Sequence, residues 1–448
     1  MIFKSRIVSA QWDTWCHFHQ GTYYLYYLIS EDHSWEGFGV ATSDDGVHWH
    51  DHGWAISASA KMVHYLGTGS VWPDPCNPGR FLCNYSEHRL DEEGKRRQCI
   101  LFAWSDDLIH WTKFDDEHIF WVDERYYEHY GRWDCIYAIP QPDGSYFGTW
   151  TATPKGREDQ NGGIGFGVSR DGIHWQALPP ADIQPDADES GAMMQIDGRI
   201  HSMFGHFGER RPAGMHAYVA ESREGPFRLS EKNAQLLKAW HTYFSRYFVA
   251  PDGILINHHA MDGTNDKAGK SITYLAPFKK LLVDAEGVQR WIWWEGNERL
   301  KGLELQASDA GDFQAGIIVE GSLSVSDHDH AELHFDVDGA PYVIRVFDKG
   351  VVEFMGFDAE QRSWSTLMQA DRELPSIGDN TFRLLARRGM AEFYLNDHFM
   401  ECCMLGCPDG HSIRNRLPEQ ETGRSGPTLR MWEMSLCQEG GEQAPGGK

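Results

Sequence analysis

Ser-Asp-Asp-Gly-Val-His-Trp at Ser43–Trp49 recurs as Ser-Asp-Asp-Leu-Ile-His-Trp at Ser105–Trp111 and as Ser-Arg-Asp-Gly-Ile-His-Trp at Ser169–Trp175. A weaker fourth copy follows at Ser222–Leu229. The copies are about 62, 64 and 53 residues apart, and a long period with a turn inside each copy is typical of a repeating β-unit. The repeat predicts a β-propeller, in which each Trp packs between blades and each His bonds to a neighbouring loop.

Each unit also contains strand signals between its turns. In the first unit Thr22–Ile29 is aromatic and aliphatic, Gly37–Thr42 is a short apolar run, and an Asp-Asp-Gly turn leads to the last strand. Roughly four short strands per unit correspond to one propeller blade. The sequence after the fourth copy, with a hairpin expected at Tyr247–His259, provides a fifth blade. We therefore expect a five-bladed β-propeller domain at residues 1–295.

A second domain is expected where the repeat ends. Apolar and polar residues alternate with period two beyond Trp291–Leu303, which indicates strands buried on one face. These runs are Phe313–Val325, Ala331–Val337, Tyr342–Phe347, Val351–Phe357, Thr381–Arg388 and Met390–Leu395. They predict a C-terminal antiparallel β-sandwich at residues 296–438. The tail at residues 439–448 has no large apolar side chain and is expected to be disordered.

Composition narrows the class of protein. A chain of 448 residues suits two domains, and its 18 Trp residues favour carbohydrate weakly, because Trp faces stack on sugar rings. The net charge of −25 argues against nucleic acid or an anionic membrane as a partner. Nine cysteines without matched pairs, no signal-like N-terminus and no long apolar stretch predict reduced thiols, no metal and a cytoplasmic location.

Three carboxylates lie in apolar or aromatic surroundings near the start of a blade. Asp13 precedes the first strand of the first blade, Asp134 enters an apolar strand after the second turn copy, and Glu189 opens the strand after the third. Because the innermost strands of a propeller converge, these acids are expected in one central pocket. A partly desolvated cluster supplies a protonated and an ionised carboxyl group together, which is the pair that glycoside hydrolysis requires.

The stretches around these acids carry a family resemblance. Phe18–Tyr27, Gly37–Ser43 and Tyr65–Ser70 follow Asp13, while Trp133-Asp134-Cys135 and Glu189-Ser190-Gly191 surround the other acids. The first two stretches resemble the opening strand and the next strand of glycoside hydrolase family 32, and Tyr65–Ser70 resembles its Phe-Ser-Gly-Ser segment. Trp133-Asp134-Cys135 resembles the family's Arg-Asp-Pro motif, and Glu189-Ser190-Gly191 resembles its Glu-Cys-Pro motif. That family contains β-fructofuranosidases, invertases and levanases.

The resemblance implies a fold and a mechanism. The family has a five-bladed propeller followed by a β-sandwich, and it hydrolyses fructosides with retention of configuration and without a metal or organic cofactor. By this resemblance Asp13 would be the nucleophile, Asp134 would hold sugar hydroxyls and Glu189 would be the general acid/base. The implied partner is a carbohydrate substrate, and the chain would be a monomer or a homo-oligomer formed through the sandwich.

The residues next to the three acids depart from the family pattern. Asp134 has Trp133 where the family has Arg, which exchanges a forked donor for a stacking face. In an extended segment Arg132 points to the side opposite Trp133, so it is not expected to replace that Arg. The other exchanged flanking residues are Trp12, Thr14, Cys135, Ser190 and Gly191.

Further residues are candidates for binding the sugar. Five tryptophans in loops or at strand starts are expected to line the mouth of the pocket, and two polar residues lie in or beside the Gly/Ser segment. These candidates are Trp12, Trp15, Trp35, Trp72, Trp133, His64 and Ser70.

Two alternatives to a retaining fructosidase stay open. One is an inverting propeller glycosidase acting on arabinose, xylose or anhydro-sugars, or a phosphorylase. The other is a propeller that binds sugar without catalysis. Carboxyl groups about 5–5.5 Å apart would indicate retention, and a gap of roughly 6.5–9.5 Å would indicate inversion.

Overall fold

The computed structural model describes almost the whole chain, and nearly all of its regular structure is β-strand. The described residues are 1–31, 34–157, 162–208, 211–238, 242–266, 269–306, 309–416 and 429–436. Short 3₁₀ turns lie at Asp116–His118 and Glu295–Leu300. The tail at 439–448, for which disorder was expected, lies outside the described residues.

Four separate sheets follow one another along the first half of the chain. The first contains β1 (Ala10–His19), β2 (Thr22–Ser30), β3 (Gly37–Ser43) and β4 (His50–Ser57). The second contains β5 (Leu66–Gly67), β6 (Val71–Pro73), β7 (Phe81–Leu90), β8 (Arg96–Ser105) and β9 (Thr112–Lys113). The third contains β10 (Trp133–Pro140), β11 (Tyr146–Ala152), β12 (Ile164–Ser169) and β13 (Trp175–Leu178). The fourth contains β14 (Ile183–Gln184), β15 (Glu189–Ile196), β16 (Arg199–His206), β17 (Gly214–Ala220), β18 (Phe227–Leu229) and β19 (Gln235–Lys238).

A fifth group of strands completes the repeat and continues into the second domain. It contains β20 (Ser245–Ala250), β21 (Gly253–Asn265), β22 (Ser271–Leu275), β23 (Lys279–Val283) and β24 (Gln289–Trp293). The hairpin expected at Tyr247–His259 is formed by β20 and β21. Because β24 pairs with a strand of the second domain through Ile292 and His398, the two domains share one continuous sheet. The boundary expected after residue 295 coincides with a 3₁₀ turn and stays a prediction.

The second domain is a sandwich of two antiparallel sheets. One sheet contains β25 (Lys301–Leu305), β27 (Ile317–Val325), β32 (Gly378–Arg387), β33 (Met390–Leu395), β34 (His398–Met404) and β36 (Arg430–Met434). The other contains β26 (Ala310–Asp312), β28 (His330–Val337), β29 (Ala340–Phe347), β30 (Val351–Asp358), β31 (Ser363–Asp371) and β35 (Ser412–Arg416). An apolar core fills the space between them. The predicted propeller and sandwich are thus confirmed, although alternation did not reveal the strands at Ser363–Asp371 and His398–Met404.

The repeated turn stabilises itself through its own acid. In the first copy Asp45 Oδ1 accepts hydrogen bonds from the backbone amides of Val47 and His48, and Oδ2 lies 2.8 Å from His48 Nδ1. Asp107 and Asp171 bind the histidines of their own copies in the same way. Each His thus bonds to the aspartate three residues earlier, and in the first copy His48 Nε2 also lies 2.9 Å from the Ser435 carbonyl. The expected bond to another segment is therefore confirmed for His48, and the bond to the turn's own aspartate was not expected.

The tryptophan of the repeat joins neighbouring sheets. Trp175 of the third sheet packs against Trp72 of the second, with ring centroids 6.0 Å apart. Trp111, which follows the second sheet's turn, packs at the same separation against Tyr26 of the first. These contacts place the repeated Trp between blades, as expected.

The first strands of successive sheets lie around the centre of the propeller. Strand β1 contacts β20, β20 contacts β15, and β15 contacts β10. Side chains at the N-terminal ends of these strands therefore meet at one end of the central channel.

Candidate active site

The three predicted acids occupy equivalent positions on first strands of three sheets. Asp13 lies in β1, Asp134 in β10, and Glu189 begins β15. The regular pairing with the second strand is interrupted beside each acid by a β-bulge or similar irregularity, between Trp12 and Trp15, Asp134 and Tyr137, and Ser190 and Ala192. A bulge bends its strand and redirects side chains, which explains how all three acids turn toward the axis.

Two of these irregularities require unusual backbone conformations. Asp13 has a φ of 42° and Cys135 a φ of 64°, in the left-handed region that side chains other than Gly, Asn and Asp seldom adopt. Strained conformations of this kind cluster at functional sites, where the surrounding structure holds them in place. A positive φ thus accompanies the strand irregularity at Asp13 and directly after Asp134.

The acids share one pocket of about 410 Å³, a volume ordinary for a small-molecule site. The pocket is lined by Trp12, Asp13, Leu28, Ser34, Trp35, His64, Tyr65, Gly67, Arg132, Asp134, Glu189 and Lys270. A larger cavity of about 720 Å³ lies elsewhere, between the N-terminal segment and the sandwich, and contains none of the three acids. The smaller pocket is the candidate active site.

Asp134 is the most enclosed of the three acids. Its Oδ2 accepts hydrogen bonds from Tyr65 Oη and Arg132 Nη2, both at 3.2 Å, and its Oδ1 accepts from the Ser86 hydroxyl. Burial alone would raise the pKa of this carboxyl, but the Arg132 charge and hydrogen bonds from Cys135 and Ser86 hold the pKa below its ordinary value. Asp134 is therefore held in a fixed position, and its environment favours the ionised form.

Glu189 is held from two sides. Arg132 Nη2 donates to its Oε1 at 3.0 Å, and the Tyr243 hydroxyl donates to its Oε2. Tyr243 comes from the segment before β20, so the fifth strand group helps to orient an acid of the fourth sheet. Sequence reasoning did not identify Tyr243, because nothing in its local pattern separates it from the other aromatic residues.

Asp13 differs from the other two acids in having no hydrogen-bond or ion-pair partner among the described residues. Burial raises its pKa to about 7, and the negative charge of Glu189 adds to the shift, while Arg246 opposes it. A carboxyl group that titrates near neutral pH and faces an open pocket is suited to catalysis.

Arg132 corrects an expectation from the sequence. Side chains alternate between the two sides of an extended segment, so Arg132 does lie opposite Trp133. For the same reason Arg132 lies on the side of Asp134, which is two residues further on. Its Nη2 contacts both Asp134 and Glu189, while its Nε is buried without a hydrogen-bond partner among the described residues. The guanidinium therefore lies in the pocket, where Nη2 joins the two acids.

Two of the predicted tryptophans form one wall of the pocket. The rings of Trp12 and Trp35 lie 6.4 Å apart, and Trp12 also packs on His259 at 4.3 Å. The ammonium of Lys270 lies 4.4 Å from the centre of the Trp35 ring. Both tryptophans are partly exposed, so their faces remain available to a sugar ring. His64 also lines the pocket, with an exposed side chain.

The structure places the remaining candidates away from this pocket. Trp133 is 0% exposed and donates from Nε1 to the Phe120 carbonyl, whereas Trp15, 2% exposed, stacks on Tyr26. Trp72 is also 2% exposed and lies between sheets. Ser70 Oγ donates to the Ile136 carbonyl, which links the second and third sheets. The expectation that Trp15, Ser70, Trp72 and Trp133 bind sugar is corrected, because each is engaged in packing or hydrogen bonding within the propeller.

Asp327, His328 and Asp348 could offer ligand atoms within 4.8 Å of one another, but they lie on the sandwich and two of them are exposed. Eight cysteines are free thiols, and Cys437 lies outside the described residues. Within the described part of the chain, no helix has both the length and the apolar character to cross a membrane.

Comparison with known proteins agrees with this architecture. Residues 15–132 match the model of the glycosyl hydrolases family 32 N-terminal domain, a segment that ends before Asp134 and begins after Asp13. No curated protein sequence matches the chain. The match therefore covers the first two sheets and none of the three acids.

Solved structures extend the likeness over both domains. Sucrose-6-phosphate hydrolase from Lactobacillus gasseri superposes with a TM-score of 0.72 and 17% identity, covering 95% of this chain and 91% of that one. The β-fructofuranosidase of Bombyx mori gives 0.72 and 13%, covering 96% and 92%. Fructan 1-exohydrolase IIa from Cichorium intybus, solved with 1-kestose, gives 0.67 and 15%, covering 98% and 97%. The resemblance to glycoside hydrolase family 32 is thus confirmed, in sequence over residues 15–132 and in fold over nearly the whole chain.

Proposed function

We propose that this chain is a retaining, exo-acting glycoside hydrolase of β-fructofuranosides. Asp13 is the nucleophile, Glu189 the general acid/base, and Asp134 an acceptor that binds sugar hydroxyls. The observation that carries the proposal is the meeting of these three carboxylates in one pocket, where Asp13 alone has no partner among the described residues. A pocket of about 410 Å³ favours a terminal sugar unit over the interior of a long polymer.

The first step forms a covalent intermediate. A carboxylate oxygen of Asp13 attacks the anomeric carbon of the fructosyl unit, while the bond from that carbon to the leaving oxygen breaks. Glu189 gives its proton to the leaving oxygen, which departs as an alcohol. Asp134 accepts hydrogen bonds from the sugar, and Arg132 Nη2 holds its carboxylate in place.

The second step restores the enzyme. Glu189, now ionised, takes a proton from a water molecule, whose oxygen attacks the same anomeric carbon. The ester bond to Asp13 breaks, and the carboxylate of Asp13 is released. Two displacements on one carbon give the sugar product the configuration of the substrate.

The charges of the empty pocket set a condition on this mechanism. The donors in the pocket contact Glu189 and Asp134, whereas burial raises the pKa of Asp13 to about 7. Attack requires ionised Asp13 and protonated Glu189, so the pair must enter the reaction with its single proton on Glu189.

The substrate class and the cellular location are supported by different observations. The similar structures include a sucrose-6-phosphate hydrolase, a β-fructofuranosidase and a fructan exohydrolase, so a fructosyl unit is the favoured substrate. Free, mostly buried thiols favour a reducing compartment such as the cytoplasm. All three acids come from one chain, so the mechanism suits a monomer as well as a homo-oligomer.

The test is hydrolysis of sucrose, 1-kestose, inulin and levan, with the first product followed by NMR. We expect fructose to be released from one end of the oligosaccharide or polysaccharide substrate, with the β-anomer appearing first. Initial release of the α-anomer would reject retention. Release of arabinose or xylose from a matched panel of pentosides, without action on fructosides, would reject the substrate class.

A further inference from the structure

The segment that presents Tyr243 to Glu189 is anchored by the sandwich domain. Thr242, the residue before Tyr243, is buried, and its Oγ1 donates to the Lys238 carbonyl at 2.8 Å. The same hydroxyl lies 3.3 Å from Oε1 of Glu401, a buried residue of strand β34 in the sandwich. A carboxylate of the second domain therefore contacts the residue next to the tyrosine that holds the proposed acid/base.

Arg372 adds a second anchor from the sandwich. Its side chain follows strand β31 and is almost fully buried. The guanidinium donates to the carbonyls of Gln235 and Leu236 in β19, and Nη2 lies 3.4 Å from Glu401 Oε2. Since β19 ends at Lys238, Arg372 holds the strand whose last carbonyl binds Thr242.

These contacts have defined geometry because the groups that make them are buried. A buried guanidinium is stable only when its donors are satisfied, and here five backbone or side-chain acceptors surround it on two domains. Charge-assisted hydrogen bonds are also shorter and more directional than neutral ones. Such a network fixes Lys238 and Thr242, and through them Tyr243, more rigidly than packing alone would.

The opposite side of the segment is fixed within the propeller. The Phe244 amide, directly after Tyr243, donates to Nδ1 of His259 at 3.2 Å. Burial lowers the pKa of His259 to about 3, so the ring is neutral and Nδ1 can accept this bond. Tyr243 is therefore held on one side by the sandwich and on the other by strand β21.

We infer that Glu401 and Arg372 are positioning residues for the acid/base of the propeller, acting through Thr242 and Tyr243 on Glu189. The inference rests on the proposed function and assigns the sandwich a role in it: the sandwich orients a catalytic carboxylate without touching the substrate. Misplacement of a reacting group by about 1 Å is enough to lower a rate roughly 100-fold, so a network at this distance can affect catalysis.

The sharpest test replaces the Thr242 hydroxyl while keeping its shape. Thr242→Val removes the hydrogen bonds to Lys238 and Glu401, whereas Thr242→Ser keeps the hydroxyl. We expect Thr242→Val to lower kcat on sucrose by roughly 10- to 100-fold with KM changed less than about twofold, and Thr242→Ser to restore most of it. Thr366→Val, which removes an exposed hydroxyl from the outer sandwich sheet, is the matched control and should leave kcat unchanged.

The leaving group separates positioning from general damage. The aryl oxide of an aryl β-fructofuranoside departs with little help from an acid. Thr242→Val should therefore lower kcat/KM on this substrate, which reports the step that forms the covalent intermediate, much less than it lowers kcat/KM on sucrose. Glu401→Gln, which keeps the size of the side chain, should show the same selectivity. Equal losses on both substrates, or unchanged rates on both, would overturn the inference.

A crystal structure of Thr242→Val tests the inference without any assay. We expect the Tyr243 hydroxyl to leave hydrogen-bonding distance of Glu189 while the five strand groups keep their places. An unchanged Tyr243–Glu189 contact would overturn the positioning role. If the wild-type protein hydrolyses no fructoside, the proposed function fails. The crystal structure still shows whether Thr242 holds Tyr243 against Glu189.

Discussion

Arg132 Nη2 lies 3.0 Å from Glu189 Oε1 and 3.2 Å from Asp134 Oδ2, so one nitrogen bridges two of the three acids. The cation offsets the repulsion between the two carboxylates and fixes the direction of each. It also leaves Asp13 as the acid without a donor, since Arg132 contacts the other two. The contacts of Arg132 thus separate Asp13 from the other two acids.

Arg132→Lys should lower kcat/KM by about 100-fold, because an ammonium on a different, non-planar side chain does not reproduce the position of the Nη2 that bridges Asp134 and Glu189. The loss should appear mainly in kcat if the bridge acts in the transition state. Steady-state kinetics on the best fructoside measures it. Arg125→Lys, at an exposed pair with Asp123, is the matched control and should behave as wild type. An active Arg132→Lys enzyme would mean that the bridge is dispensable.

Glu189→Gln should remove most activity on sucrose, by roughly 10²–10⁴-fold, because an amide cannot protonate the leaving oxygen. The variant keeps an acceptor for Arg132, so the pocket should stay assembled. An aryl fructoside should still transfer its fructosyl unit to Asp13 and then stall, which rapid-quench kinetics would detect as a burst. Added azide should speed turnover by attacking the intermediate directly. A variant equally active on sucrose would assign the acid role to another residue.

Sequence and structure agree most closely where the prediction rested on the spacing of the repeated turn. The repeated turn predicted the blades, and matching positions along them brought Asp13, Asp134 and Glu189 into one pocket. Binding residues were predicted less well, because a Trp beside an acid can face either the axis or the space between sheets. Trp133 faces the space between sheets and is fully buried there. The β-bulge or similar irregularity beside Asp134 changes the direction of the strand, and the alternation of apolar and polar residues does not indicate such a change.

Contacts between distant parts of the chain were beyond sequence reasoning. Tyr243 reaches Glu189 across 54 residues, and Glu401 reaches Thr242 across 159. Neither contact leaves a local periodicity, because each depends on how separate sheets are arranged in space. Arg132 is the exception, since its two-residue spacing from Asp134 already placed both on one side of a strand.

Asp13→Asn should abolish hydrolysis and change how stability depends on pH. The folded-state pKa of Asp13 is raised to about 7 by burial and by Glu189, so the folded protein binds this proton more tightly than the unfolded chain does. Wild-type stability should therefore fall as pH rises from about 4 to above 7, whereas the neutral Asn escapes that loss. Asn also tolerates the positive φ of this position.

Urea unfolding at pH 5 and pH 8 measures this difference. The free energy of unfolding of Asp13→Asn should exceed that of wild type by up to about 4 kcal/mol at pH 8, with a smaller excess at pH 5. The kcat/KM of wild type should fall below pH 7, because Asp13 must be ionised to attack. A stability difference that is independent of pH would show that Asp13 titrates in its ordinary range.

Trp133→Ala should mainly lower stability, whereas Trp35→Ala should mainly weaken substrate binding. The pair of variants tests whether Trp133 serves packing and Trp35 lines the substrate pocket. Trp133 is fully buried among Phe120, Tyr127 and Trp150, so its truncation should lower the free energy of unfolding by about 3–5 kcal/mol. Trp35 lines the pocket and is partly exposed, so Trp35→Ala should raise KM with a small loss of stability, and Trp35→Phe should recover part of the affinity. Denaturation and steady-state kinetics on both variants check this. A Trp35→Ala enzyme with unchanged KM would remove that wall of the pocket from the substrate site, and a stable Trp133→Ala would reopen the possibility that Trp133 faces the sugar.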